Sequence, residues 1–136
     1  MAFEQMDFPE DIAVAYLATT AIPAAIPALW QTLMKIPMPL KGRRCFGVQQ
    51  PGRNEYWAAF ERKPGEELVD STLRIATIPK GEYAAKHIAH WPTAQLHVEI
   101  PAAYHELRAA HTIDPSRPLL EFYDTEDTLW VMVPVA

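Results

Sequence analysis

Positive charge is in short supply in this 136-residue chain, where 12 Lys and Arg stand against 17 Asp and Glu for a formal net charge of -5. A protein that neutralises a phosphate backbone needs the opposite balance, so no direct nucleic-acid partner is expected. Cysteine is limited to Cys45, which excludes an intramolecular disulfide and suits a reducing cytoplasm. No basic segment followed by an apolar run opens the sequence, so no secretory leader is expected. Long apolar runs are also lacking. The longest, Ala21 to Trp30, is broken by Pro23 and Pro27 and falls short of the roughly 20 residues of a membrane span. The five glycines are scattered at turns rather than grouped ahead of a helix, so no phosphate-cradling loop and no cofactor is expected.

Nucleophiles and metal ligands are equally sparse. Ser71 and Ser116 are the two serines, both in loop-like surroundings without the tight strand-to-helix turn that exposes a catalytic serine. His87 and His90 are three apart in a strand or loop, a spacing that aims them poorly at one ion, and no second ligand cluster joins them. His105 and His111 do not share a helix face. Cys45, beside Phe46, reads as a small buried hydrophobe. No metal site is expected.

What is present suits one globular domain spanning 1–136: 49% hydrophobic and 21% charged residues at the commonest domain size. Ile12 to Leu17 reads as a strand buried on both faces. Ile22, Ile26, Leu29, Trp30, Leu33 and Met34 form a helical stripe, with Pro27 a natural first-turn residue. Lys35 to Leu40 reads as a loop. Cys45 to Val48 and Glu55 to Phe60 then flank the turn residues Gln50-Pro51-Gly52-Arg53-Asn54 as a hairpin, and the charged stretch 61–67 reads as a connector.

The plan then recurs. Leu73 to Ile78 and Tyr83 to Ile88 read as strands around a bend at Gly81, Ile100, Tyr104, Leu107 and His111 as a helical stripe, and Leu119 to Tyr123 with Leu129 to Val133 as a hairpin around Asp124-Thr125-Glu126-Asp127. Ile22-Pro23-Ala24-Ala25 recurs as Ile100-Pro101-Ala102-Ala103, each expected to open its helix. The expectation is an α+β fold of tandem duplicated βαββ repeats, about 11–62 and 71–135, whose sheets pair around a pseudo-twofold axis with a ligand cleft between them.

Glu121 lies in an otherwise apolar strand, on one face with Leu119 and Tyr123. Either that face meets water on an edge strand, or the carboxyl is buried and awaits a proton, a cation or a hydrogen-bond donor. Around it Trp30, Phe46, Tyr56, Trp57, Tyr83, Trp91 and Tyr123 are candidate ligand-binding aromatics, since flat rings accept planar or cationic molecules. Tyr56 and Tyr123 are favoured because a hydroxyl can orient a ligand, whereas Trp30 on the helical stripe reads better as core.

The segments Ile78-Pro79-Lys80-Gly81-Glu82-Tyr83-Ala84 and Leu120-Glu121-Phe122-Tyr123, together with Ile26-Pro27-Ala28-Leu29-Trp30 and Phe46-Gly47-Val48, resemble the gyrase-inhibitor-like (GyrI-like) family. This is the effector-binding domain of certain AraC-type and MerR-type multidrug-sensing regulators. Leu120 stands where the family pattern has Phe, and His90-Trp91-Pro92 replaces a small-residue turn. The resemblance implies the tandem βαββ fold and a buried glutamate, here Glu121, that meets lipophilic cations among aromatic rings with Tyr123 close by. With the first strand near Ile12, no room is expected for a preceding DNA-binding domain. The implied function is therefore a stand-alone protein that binds amphipathic, aromatic or cationic small molecules. Some relatives look like hydrolases that open strained cyclopropane rings of DNA-alkylating natural products, which would make Glu121 a general base and Tyr56 its catalytic companion. One branch implies a protein-interaction module acting on gyrase or a transcription regulator.

Overall fold

The computed structural model describes residues 3–36, 42–50, 52–68, 70–91, 95–124 and 128–136. Part of the expected loop at 37–40, Pro51 of the first turn, Pro92, and 125–127 of the second turn lie outside the described residues. In chain order the elements are β1 (Glu4–Phe8), β2 (Ile12–Thr19), α1 (Ile26–Met34), β3 (Cys45–Gln49), β4 (Tyr56–Glu61), β5 (Arg74–Ile78), β6 (Gly81–Ala89), α2 (Leu96–Ala110), β7 (Leu119–Tyr123) and β8 (Thr128–Pro134).

All eight strands join one curled antiparallel sheet in the order β1-β6-β8-β7-β3-β4-β2-β5, so the protein is α+β with a single sheet rather than two paired ones. The β3·β7 ladder joins the halves, with Phe46 opposite Phe122, Gly47 opposite Glu121 and Val48 opposite Leu120. Edge strands cross over: β1 leads into β2 but pairs with β6, and β5 leads into β6 but pairs with β2. Sequence pattern alone does not predict β1. Its Met6 and Phe8 alternate with polar Gln5 and Asp7, a pattern only two apolar residues long. β2 is not buried on both faces along its length, because Ala13 is exposed and residues 16–19 are only half-buried.

The two faces are packed differently. On the helix-free face, Phe8, Val14, Phe46, Val48, Trp57, Ile78, Tyr83, Leu120, Phe122 and Met132 form one core, with Phe46 stacked on Phe122 at 5.0 Å. Curling lets this face cover itself. On the opposite face, α1 seats Leu33 on Ala15, Ala58 and Phe60, and α2 seats Ala103 and Leu107 on Ala84, Ile88, Leu129, Val131 and Val133. Each fully buried Leu or Phe contributes about 1.5–3 kcal/mol. Both helices therefore lie on the same face, over β2/β4 and β6/β8 respectively, with β3 and β7 between them.

The helix starts differ from the IPAA expectation. Ile22–Ala25 precedes α1, which begins at Ile26 with Pro27 in its first turn, whereas Ile100–Ala103 lies inside α2 a turn beyond its start at Leu96. The 61–67 connector is tied down, because the buried Arg43 guanidinium donates to both Glu66 carboxylate oxygens and to the Glu61 carbonyl. No helix among the described residues is long and apolar enough to cross a membrane.

Candidate functional site

β7 is a central strand, paired to β3 on one side and β8 on the other, so Glu121 is not on a solvated edge. Alternation turns its side chain to the helix-bearing face with Leu119 and Tyr123, into the seam between α1 and α2, where it is only 8% exposed. Burial without a basic partner is costly for a carboxylate. Here the cost is met by hydroxyls. Tyr56 and Tyr123 both donate to Glu121 Oε1, at 3.0 and 2.9 Å, and the Trp30 indole N–H donates to the Tyr56 hydroxyl at 2.9 Å.

Each member comes from a different element. Tyr56 is the first residue of β4 and reaches diagonally over β3; Trp30 points down from α1; Tyr123 ends β7. The Tyr123 ring is gripped edge-on by Trp30 at 5.2 Å and by Trp91 at 5.1 Å. From the α2 side, Tyr104 donates to the Leu120 carbonyl at 2.8 Å. Beneath the network lies Gly47. A Cβ there would stand 2.2 Å from the Tyr56 hydroxyl and 2.6 Å from Glu121 Oε1, so only glycine leaves room for their hydrogen bond.

The electrostatics follow from a dry carboxylate among phenols. Burial pushes the Glu121 carboxyl above its usual range, and the Tyr123 and Tyr56 hydrogen bonds pull it only part of the way back. Burial, then the Glu121 charge, drive the Tyr56, Tyr104 and Tyr123 hydroxyls upward, so all three stay protonated donors at neutral pH. A carboxyl poised in this way can accept a proton, or meet a cation that enters the seam.

Of the residues singled out in the sequence, Glu121, Tyr56, Tyr123, Trp91 and Trp30 gather here. Trp30 is half-buried and hydrogen-bonded rather than simply core. Phe46, Trp57 and Tyr83 do not join them, because strand alternation turns all three to the helix-free face. There Phe46 and Tyr83 pack on Phe8, Trp57 stacks on Tyr16 at 3.9 Å, and the Tyr83 hydroxyl donates to the Pro79 carbonyl. The cluster thus lies in a seam on the helix-bearing face of one sheet, not between two paired sheets. Gly47 and Tyr104 are members that sequence pattern does not single out. Tyr104 carries a signal, as the polar-tipped ring on the α2 stripe, and Gly47 stands in the segment Phe46-Gly47-Val48, but nothing local gives it a part beside Glu121.

The seam is filled by its own rings. Clefts of about 390 and 190 Å³ open elsewhere, and Glu121, Tyr56 and Tyr123 line neither. Among the described residues no group of three His, Cys, Asp or Glu side chains could hold a metal ion. Cys45, opposite Tyr123 in the β3·β7 ladder, has its thiol pushed up by burial.

No protein-family model matches the chain, and no curated protein matches it. Solved structures do. SAV2435 bound to tetraphenylphosphonium is 13% identical, with 100% of this chain and 94% of that one covered and a TM-score of 0.74. An integron cassette protein from Vibrio cholerae is 13% identical over 98% and 95% of the two chains, with a TM-score of 0.68. A hydrolase from Listeria innocua is 12% identical over 98% and 91%, with a TM-score of 0.59. At these identities the likeness is one of fold.

Proposed function

We propose that the protein binds an amphipathic, aromatic or cationic small molecule in the seam between α1 and α2, with Glu121 as the counter-charge and Trp30, Tyr56, Trp91 and Tyr123 as walls. One observation carries the reading: a buried carboxyl that, among the described residues, has no basic partner and accepts from two phenol hydroxyls. A cation entering the seam gains the carboxylate's charge, and each favourable contact with a ring face adds about 0.5–2 kcal/mol. Entry requires Trp30 and Trp91 to swing off Tyr123, so the ligand exchanges one set of ring contacts for another. The shared fold with a tetraphenylphosphonium-bound structure is compatible with this reading.

The same reading includes a tandem βαββ duplication. The strand order β6-β8-β7-β3-β4-β2 is palindromic in type. The sequence offset that carries Gly47 to Glu121 also carries Ile26-Pro27-Ala28 to Ile100-Pro101-Ala102, Trp30 to Tyr104 and Leu33 to Leu107. On a twofold axis through the β3·β7 ladder, two glutamates would meet side by side. Glycine in one half resolves that clash and supplies the space the other half's carboxyl occupies.

Fluorescence titration with tetraphenylphosphonium tests the function. The expected outcome is saturable binding that Glu121→Gln weakens by roughly tenfold or more, the loss of a desolvated charge interaction. Equal affinity in the variant would remove Glu121 from the site.

A hydrolytic reading rests on the same carboxyl, with its raised proton affinity and its bond to Tyr56. Ionised Glu121 would take a proton from water as the water oxygen bonds a strained-ring carbon, with Tyr56 orienting the water. The ring C–C bond breaks, and its electron pair passes into the alkylator's conjugated carbonyl and is protonated from solvent. Incubation with a cyclopropane-containing alkylator should then yield a water adduct by mass spectrometry, and no turnover beyond the Glu121→Gln control would end this alternative.

A further inference from the structure

We infer that a second ligand site, for a small organic oxyanion, occupies the cleft of about 390 Å³ between the β3–β4 turn, the C-terminal turn of α2 and the segment leading into β7. This volume lies within the usual range of ligand pockets. Its charge is opposite to that of the protein as a whole: Arg53, Arg108 and Arg117 line it against the single acid Asp114, in a chain of net charge -5.

The three arginines are not equivalent. Arg117 is locked as a wall, donating through Nε to Asp114 Oδ2 at 2.9 Å and through Nη2 to the Val135 and Glu82 carbonyls, with its guanidinium over the Tyr83 ring. Asp114 is spent as well. Its Oδ1 accepts from the Ser116 backbone N–H and hydroxyl, its Oδ2 takes Arg117, and these donors hold its carboxyl down at about 2. Arg53, on the turn, and Arg108, in the last turn of α2, have no acidic partner among the described residues. Two uncommitted guanidiniums thus converge on one cavity from different elements, each able to offer a two-pronged donor to a carboxylate or phosphate.

The rest of the lining sets the ligand's other end. Ile113 and the buried Leu119 are apolar, whereas Gln49 and Gln50 add amide groups. A bare inorganic ion would leave the apolar residues unused. The fit is to an oxyanion carrying a small apolar or aromatic portion. Leu119 and Gln49 share the helix-bearing face with Glu121 and Gly47, two residues along the same strands, so the cleft adjoins the carboxyl seam, but Glu121, Tyr56 and Tyr123 do not line it and its charge preference is the opposite one.

Phenyl phosphate and benzoate are the probes. Titration of the protein at low ionic strength, followed by amide NMR shifts, should show saturable 1:1 binding of at least one, with shifts centred on Gln49, Ile113 and Leu119. Affinity should fall as salt rises but stay saturable. Arg53→Gln and Arg108→Gln should each weaken binding roughly tenfold, and the pair should abolish it, since each removes a charge-assisted hydrogen bond from an exposed position that does not support the fold. Glu121→Gln should not weaken anion binding while it does weaken tetraphenylphosphonium binding, which separates this site from the proposed function. Failure of both probes to saturate, shifts centred elsewhere, or binding that survives the double variant in a protein of unchanged Tm would overturn the assignment.

Discussion

Phe46 stacks on Phe122 across β3 and β7 at 5.0 Å, and one residue along the same ladder Gly47 faces Glu121. The first pair looks into the self-covering core and the second into the seam between the helices. A step of one residue on identical strands separates a dry aromatic stack, which only stabilises, from a carboxyl held by two hydroxyls, one of them in turn held by an indole. The difference lies in what covers each face. Curling closes the first with side chains of its own strands, whereas two helices that straddle β3 and β7 leave a strip that side chains alone must fill.

Four substitutions can break or sharpen that contrast. Phe122→Ala, on the dry face, should cost about 3–5 kcal/mol in urea unfolding, the usual range for emptying an aromatic core position. It should leave the folded protein's affinity for tetraphenylphosphonium unchanged. Affinity that falls in step with stability would mean the faces are not independent.

Gly47→Ala comes next. Its Cβ would lie 2.2 Å from the Tyr56 hydroxyl and must force it off Glu121. Overpacking with a lost buried hydrogen bond should destabilise by about 2 kcal/mol and weaken cation binding as well. A neutral result in both assays would show that the close approach is not needed.

Glu121→Gln acts through pH. Burial raises the carboxyl's proton affinity in the folded state, so the native protein binds that proton more tightly than the unfolded chain. Its contribution to stability is complete below the unfolded value of 4.5 and is lost as pH rises through the higher folded value. Melts of parent and variant should therefore diverge in favour of Gln on going from acid to neutral pH. Glu66 and Asp114, both held near 2, lose their contributions as pH falls towards those values, but they do so equally in the two proteins and cancel. A pH-independent difference would contradict a buried titrating carboxyl. Trp30→Phe should be the mildest, costing about 0.5–1.5 kcal/mol for one neutral hydrogen bond. Its readout is a change in cation affinity that exceeds any change in Tm.

Much of this contrast is written locally. Alternation in Leu119–Tyr123 assigns Glu121 and Tyr123 to one face and Leu120 and Phe122 to the other before any pairing is known. The helical stripe in α1 and the turn residues at 50–54 likewise mark their elements. Glu4–Phe8 is harder to see, because a short strand with two apolar residues gains its stability from pairing with β6 rather than from its own composition. The recurring IPAA misleads for a related reason. Four residues do not set where a helix begins, and packing places 22–25 ahead of α1 but 100–103 inside α2.

The sequence by itself determined the apolar stripes, the element types from β2 onward and the suspicion attached to Glu121, because periodicity and a charge within an apolar strand are local facts. Only the tertiary structure decided that Gly47 lies beneath that carboxyl, that Tyr56 and Trp30 reach it while Phe46, Trp57 and Tyr83 do not, and that one sheet replaces two. Strand order and register come from residues far apart in the chain, and the free energy that selects them is shared across the whole sheet rather than carried by any one segment.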